Sequence, residues 1–312
     1  MADLLLHSLR EFKEIVLPCL EIVGARAVCE IGSEEGGFSE MVADWTEERE
    51  GDFYCIEPLP SERVLRRDAH SPSFHLLVGR SVDVLGEMPP CDVYFVDGEH
   101  NHYTVSQELG LIEQAAARAG RRYLAVLHDV GWPFGRRDGY FRPDLYPPGA
   151  VHEHTFTKGV TLDEPGVVEG GFRSEGVWAF ALREGGRANG VRTAVDDFRS
   201  ERTGLAYLEV PVVFGLGFLF AESAPYAGAL AEFLAPYHDH PLLHRLERNR
   251  LELYLAVLAL QDQLAATSGA GREGAALRRG GGADELARRI KQMAGKVRSA
   301  AWRRCKVGSP LV

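Results

Sequence analysis

Between residues 27 and 127 the chain repeats one pattern, a short apolar run followed by a segment whose apolar residues recur at helical spacing. The runs lie at 27–31, 53–56, 74–78, 92–96 and 123–127. The segments between them predict helices at 36–45, 60–68, 81–87 and 103–119. Runs this short and this apolar read as strands buried on both faces. Strands joined by helices make a mostly parallel sheet, because a parallel pair needs a crossover and the crossovers cover the faces. The fold class is therefore α/β, with helices on both sides of the sheet.

The flanking segments extend this plan. Leu5, Leu9, Phe12, Ile15, Val16 and Leu20 predict a helix over 3–22. From 131 to about 175 the pattern dissolves into Gly, Pro, His and aromatic residues, far longer than a usual connection, which reads as a lid or binding loop. A run at 176–182 fits a strand belonging to it. A helix at 191–201 and apolar runs at 205–210 and 212–220, separated by Pro211, look like an antiparallel end to the sheet. Beyond 221 the chain reads as helical, with a leucine-rich helix at 241–265 that packs on its own domain or joins two copies as a homodimer. The expected organisation is one domain over 1–220 with an insertion at 131–185, a helical extension at 221–266, a Gly-rich linker at 267–282 and a basic amphipathic tail at 283–312.

Composition narrows the partners. Asp and Glu outnumber Lys and Arg 45 to 35, which argues against a body built to grip nucleic acid and favours a small substrate. The five cysteines, Cys19, Cys29, Cys55, Cys91 and Cys305, are odd in number and lack metal-type spacing, so they read as reduced thiols of a cytoplasmic protein. The amphipathic N-terminus carries charges throughout and lacks a signal peptide's apolar stretch, and no apolar run approaches the ~18 residues of a membrane span. The basic tail reads as a solvated helix face, with contact to an anionic membrane as the other reading.

In open α/β sheets ligands bind outside the carboxyl ends of the strands. The first run ends in Glu30-Ile31-Gly32-Ser33-Glu34-Glu35-Gly36-Gly37, where glycines allow close backbone approach and a helix N-terminus offers free N–H groups. Either a nucleotide-like ligand or a plain tight turn accounts for it. The G-x-x-x-G spacing is not a dinucleotide fingerprint, and glutamates beside it favour a cationic ligand over pyrophosphate. Glu57 ends the second run about 20 residues further on, the spacing that holds ribose hydroxyls, with an exposed loop glutamate as the alternative. Gly79-Arg80-Ser81 follows the third run and offers polar atoms to an adenine edge.

Taken together, VCEIGSEEGG, FYCIEP, LLVGRS, VYFVDGEH and VLHDV resemble a class I S-adenosylmethionine-dependent methyltransferase, and more narrowly the small-molecule O-methyltransferases of macrocin and catechol type. The resemblance covers residues 25–220, and its most specific pieces are Val96-Asp97-Gly98-Glu99-His100 and His128-Asp129. It implies a Rossmann-like methyltransferase sheet, with the 131–185 insertion as a substrate lid. It also implies that Glu30, Gly32, Ser33 and Gly36 surround the methionine part of S-adenosylmethionine, that Glu57 meets the ribose and Ser81 the adenine, and that Asp97 borders the cofactor. Asp97 and Asp129 end adjacent strands and are positioned to share a hard divalent cation such as Mg²⁺, as in the group's metal-dependent members. Where the catechol-type enzymes place Asn after the second Asp, Val130 stands here and cannot coordinate, which leaves Asp129 the alternatives of base or structural acceptor.

Histidine titrates near neutrality, so His100 is the candidate base or metal neighbour, and His128, next to Asp129, joins it as a catalytic candidate. A purely structural hydrogen bond is the other reading of each, and of His102. Trp132, Arg136, Arg137, Tyr140, Arg142, Tyr146, His152 and His154 give the insertion a polar and aromatic mixture suited to a hydroxyl-rich or carboxylated acceptor. The expected activity is methyl transfer to a hydroxyl of a small natural product or sugar, with transfer to nitrogen as a variant. The rivals are a cofactor-binding scaffold with other chemistry and a nicotinamide-dependent dehydrogenase, the latter lacking its glycine fingerprint.

Overall fold

The computed structural model describes residues 5–267. Its centre is a seven-stranded sheet in the order β3-β2-β1-β4-β5-β10-β9, with β1 (Ala27–Ile31), β2 (Asp52–Ile56), β3 (Phe74–Leu77), β4 (Val93–Val96) and β5 (Leu124–His128) all parallel. The last two strands of the chain, β9 (Leu205–Val210) and β10 (Leu216–Ala221), close that edge, β10 running antiparallel to both neighbours. This is the expected α/β, mostly parallel sheet with an antiparallel end. Helices α1 (Lys13–Val23), α2 (Gly37–Glu47), α3 (Glu62–His70), α4 (Ser81–Val84), α5 (His102–Ala119), α6 (Val191–Ser200), α7 (Ala227–Leu234) and α8 (Pro241–Thr267) surround it.

Two apolar layers hold the helices to the sheet. Val28, Phe53, Phe95, Val126 and Phe218 face α1, α2 and α7, while Cys29, Tyr94, Val96, Leu127 and Leu219 face α5 and α6. The alternation follows from the period of two along a strand, and each fully buried large apolar side chain contributes roughly 1.5–3 kcal/mol. Cys19, Cys29, Cys55 and Cys91 are free and buried within these layers.

Several boundaries differ from the sequence expectation. The first helix does not run from residue 3: Ser8 Oγ accepts from the Arg10 N–H and starts a short 3₁₀ turn, Leu9–Phe12, before α1, so residues 5–8 lie outside it as a strap. Strand β5 ends one residue late, which places His128 within the sheet. The run at 212–220 does not begin as strand. Val213, Phe214 and Gly215 all have positive φ, so residues 212–215 form a tight turn and pairing resumes only at Leu216. The short α4 covers only part of 81–87.

The 131–185 segment contains a three-stranded sheet, β6 (Gly139–Tyr140), β8 (Ala179–Ala181) and β7 (His154–Thr155), set against the carboxyl end of the main sheet. On α8, Leu246, Leu253 and Leu260 are exposed. Among the described residues no helix is long and apolar enough to cross a membrane. Most of the expected Gly-rich linker, the basic tail and Cys305 lie outside the described residues.

Candidate active site

From β1 the chain crosses through α2 to β2, whereas β4 returns to the other flank of β1. The crevice between the carboxyl ends of β1 and β4 is thus the switch point where an open sheet leaves room for a ligand. The Asp97 N–H donates to Ile31 O at 2.9 Å and the Gly32 N–H to Ile56 O at 2.9 Å, so the turns after β1 and β4 leave the sheet side by side. Gly32 is needed there, because a Cβ would sit 2.4 Å from the Asp97 carbonyl oxygen and its φ is +86°.

A cavity of about 340 Å³ opens at this crevice, and Glu30, Gly32, Ser33 and Asp97 line it. Its outer wall was not legible beforehand: residues 5–11, the strap and 3₁₀ turn, close it from above. Glu30 is 2% exposed and its Oε2 has no hydrogen-bond partner. Burial, opposed by the Ser39 hydroxyl and reinforced by the charges of Asp97 and Glu57, pushes the Glu30 carboxyl well above the ordinary carboxylate range. A cation placed in the cavity would supply the partner that Oε2 lacks.

Beside the cavity, Asp97 and Asp129 come together with two imidazoles. His100 Nε2 lies 3.0 Å from Asp129 Oδ2 and 3.7 Å from Asp97 Oδ1, and His128 Nδ1 lies 3.1 Å from Asp97 Oδ1. His128 Nε2 faces Val213 O at 2.9 Å. Both neighbours of this ring are acceptors, so both nitrogens carry protons and His128 is an imidazolium. Burial would lower it, but Asp97, Asp129 and the Val213 carbonyl outweigh burial and raise it to about 9. For His100 burial is likewise overcome by Asp129 and Asp97, and its affinity for a proton rises well above the usual value. Burial works to raise the Asp97 carboxyl, and the two imidazoles, His128 foremost, hold it below its ordinary value. Asp129 adopts φ +58°, a left-handed conformation uncommon outside glycine, at the point where β5 gives way to the insertion.

Other residues singled out from the sequence lie elsewhere. Glu57 is spent on the backbone: Oε2 accepts from the Ser33 N–H at 2.9 Å and Oε1 from the Leu59 N–H at 2.9 Å, so it shapes the glycine turn and does not line the cavity. Gly36 caps α2 with φ +80° and packs on Val64, also off the lining. Ser81 is buried and donates to Glu108 Oε1, again away from the cavity. His102 pairs with Asp197 at 2.9 Å. Within the insertion, Arg137 is fully buried and donates to Ala181 O and Pro165 O, and Tyr140 is fully buried with its hydroxyl on Asp138. Arg136 pairs with Asp196 and Arg142 with Asp144. Arg137 and Tyr140 thus build the insertion, Arg136 ties it to α6, and Arg142 makes an exposed local pair. The wall nearest His100 is aromatic: Phe134 packs on its ring at 4.6 Å and Phe141 at 6.1 Å.

Residues 29–130, from β1 to just past Asp129, match the family model of a methyltransferase domain. The similarity spans 102 of the chain's 312 residues. Solved structures similar to the chain include an O-methyltransferase from Streptomyces achromogenes involved in tomaymycin synthesis, in complex with SAM, at 18% identity over 71% of this chain and 83% of that one, TM-score 0.40. Another is an O-methyltransferase from Bacillus cereus in complex with SAH, at 13% identity over 69% and 81%, TM-score 0.40. A third is an SAH-bound methyltransferase from Podospora anserina, at 12% identity over 69% and 79%, TM-score 0.41. Among curated proteins none matches the chain. The matched segment contains Glu30, Glu57, Asp97, His100, His128 and Asp129, while the strap, the insertion beyond 130, β9, β10 and α8 lie outside it.

Proposed function

We propose that the protein transfers a methyl group from S-adenosylmethionine to a hydroxyl of a small acceptor, a natural product or a sugar. The observation that carries this reading is Glu30: a buried carboxylate with an orphaned oxygen, lining a cavity at the switch point of a methyltransferase domain. The donor's ammonium group would satisfy Glu30 Oε2, and its positive sulfur is favoured by the carboxylates around it. A dehydrogenase cofactor would bring pyrophosphate to these same carboxylates.

Methyl transfer is a displacement in which the acceptor oxygen bonds to the methyl carbon as the carbon–sulfur bond breaks, releasing S-adenosylhomocysteine. The protein's part is to align the two reactants and receive the hydroxyl proton. Asp97 stands on both sides of this event, lining the donor cavity and touching His128 and His100. His128 fixes the Asp97 carboxylate, and the Asp129–His100 pair stands beside it. Asp97 and Asp129 would hold a divalent cation, which when bound supplies positive charge that lowers the acceptor's pKa. The donor set fits such an ion, because Asp97 and Asp129 each bring a carboxylate oxygen to within 4.8 Å of the other.

Calorimetric titration with S-adenosylhomocysteine and with NAD⁺ tests the cofactor, and only the former is expected to bind. Single-turnover transfer to a panel of hydroxylated acceptors then tests the chemistry. Asp129→Ala is expected to lower turnover by at least ~100-fold while S-adenosylhomocysteine affinity stays within about threefold. Tight cofactor binding with no acceptor methylated would instead favour a cofactor-binding scaffold.

A further inference from the structure

Asp97, His100 and Asp129 each direct one donor atom into the same small space, all within 4.8 Å of one another. Ligands at ~2.1 Å from a common ion stand at most about 4.2 Å apart, so shifts of a few tenths of an ångström close the set. The two carboxylates come from the ends of neighbouring strands and the imidazole from the turn after β4, so the donors reach the space from three directions. His100 Nε2 is a buried atom without a properly aligned hydrogen-bond partner, although two carboxylates flank it. The Asp129 carboxylate, its side chain 7% exposed, faces that nitrogen at 3.0 Å. A buried nitrogen without an aligned partner is costly unless something fills the point it faces. The ring of His100 packs on Phe134 and Phe141, which fixes the direction in which Nε2 points. Val130, the next residue along the chain from Asp129, is buried in the apolar layer and supplies no oxygen. Of the three grouped side chains, the one that is not a carboxylate is the His100 imidazole.

We propose that Asp97, His100 and Asp129 form a one-nitrogen, two-carboxylate site for a divalent transition-metal ion of the kind that accepts imidazole, Fe²⁺, Co²⁺, Ni²⁺ or Zn²⁺, in place of the all-oxygen site that Mg²⁺ prefers. Magnesium demands oxygen donors in near-ideal octahedral geometry and keeps several waters, whereas the later divalent ions bind imidazole strongly. His128 is not a donor, since its Nε2 is committed to Val213 O. It orients Asp97 from behind. The proposal builds on the reading of this crevice as a methyl-transfer site for the ion's use, and its binding is measured separately.

The test uses full-length protein freed of metal by chelator dialysis and titrated with Co²⁺ and with Mg²⁺ by calorimetry. Every site binds Co²⁺ above Mg²⁺ to some extent, so the decisive quantity is the change caused by removing the imidazole. His100→Ala is expected to weaken Co²⁺ at least 30-fold and Mg²⁺ less than threefold, while Asp97→Asn weakens both. In protein labelled with ¹⁵N-histidine, one Nε2 resonance is expected to move on adding Zn²⁺ and to stay in place on adding Mg²⁺, which needs no substitution. Circular dichroism and urea unfolding report folding of each variant, and if His100→Ala fails to fold, His100→Asn takes its place. An equal loss for both metals, no loss for either, or an unmoved Nε2 resonance overturns the nitrogen-donor site even if S-adenosylhomocysteine binds. Failure of the parent protein to bind S-adenosylhomocysteine would sink the methyl-transfer reading and leave the metal result standing.

Discussion

Glu108 is fully buried on α5, where Ser81 donates to its Oε1 and its Oε2 has no partner. Burial, opposed by the Ser81 hydrogen bond and reinforced by Glu99, raises its pKa to about 8 from an ordinary 4.5. A folded-state pKa above the unfolded one means that the fold keeps a neutral acid while the unfolded chain ionises. Stability from this group is therefore intact below pH 4.5 and is lost as pH rises toward 8. Glu108→Gln keeps the shape and the acceptor for Ser81 without the titration. The variant is expected to exceed the parent at pH 8 by on the order of 3 kcal/mol and to match it near pH 5, read by urea unfolding at the two pH values. Parallel pH profiles would refute it. Nothing in the sequence marks Glu108, because it sits in a helix among polar residues and only tertiary packing buries it. The carboxylates at 30, 97 and 129 were legible because each ends an apolar run, where the topology of an open sheet dictates a site. Glu57 shares that position yet turns to the backbone, since the glycine turn beside it exposes N–H groups within its reach.

The insertion shows how an element without a repeating pattern acquires order. Asp138 is fully buried and accepts three hydrogen bonds: from the His102 N–H at 2.7 Å, the Gly190 N–H at 2.6 Å and the Tyr140 hydroxyl at 2.7 Å. It thereby ties β6 to the N-termini of α5 and α6. Arg137 and Asn189 add bonds to backbone carbonyls of the same segment. Asp138→Ala would strand three buried donors, and is expected to cost roughly 3 kcal/mol or more, with Asp138→Asn recovering most of it through the retained carbonyl oxygen. Urea denaturation measures both, and a loss under about 1 kcal/mol for the alanine variant would show that water or a repacked chain replaces the carboxylate. The sequence announced the insertion by the loss of periodicity. Its three short strands were legible only at 176–182, because the other two consist of two residues each and are set by these side-chain bonds. The five strands of the parallel array needed no such information, since apolar composition alone requires them to be buried.

Across the whole molecule, residues far apart in the chain converge on the donor cavity through α8. Arg250 Nη1 donates to Leu6 O at 2.8 Å, fastening the strap, and pairs with Glu247 at 2.7 Å. Glu247 in turn accepts from the Val213 N–H at 3.0 Å and the Phe214 N–H at 2.9 Å. Both residues have positive φ, 49° and 66°, a conformation that costs of order 1–3 kcal/mol per residue and persists only when its surroundings fix it. The carbonyl of Val213 holds His128, which holds Asp97. Leu5, Phe214 and Leu251 pack together beneath this chain of bonds. A helix that follows the sheet in sequence thus braces the cavity from outside the matched segment. Arg250→Ala removes the bond to the strap and leaves the Glu247 caps in place. One such bond is worth about 1 kcal/mol, so S-adenosylhomocysteine should bind roughly fivefold more weakly, with global stability changed little. Arg248→Ala, on the same helix but paired outward with Asp163 and Glu252, is the control and should leave the affinity unchanged. If both variants bind the cofactor product like the parent, the strap contributes no binding energy, and the cavity's affinity comes from the sheet end alone.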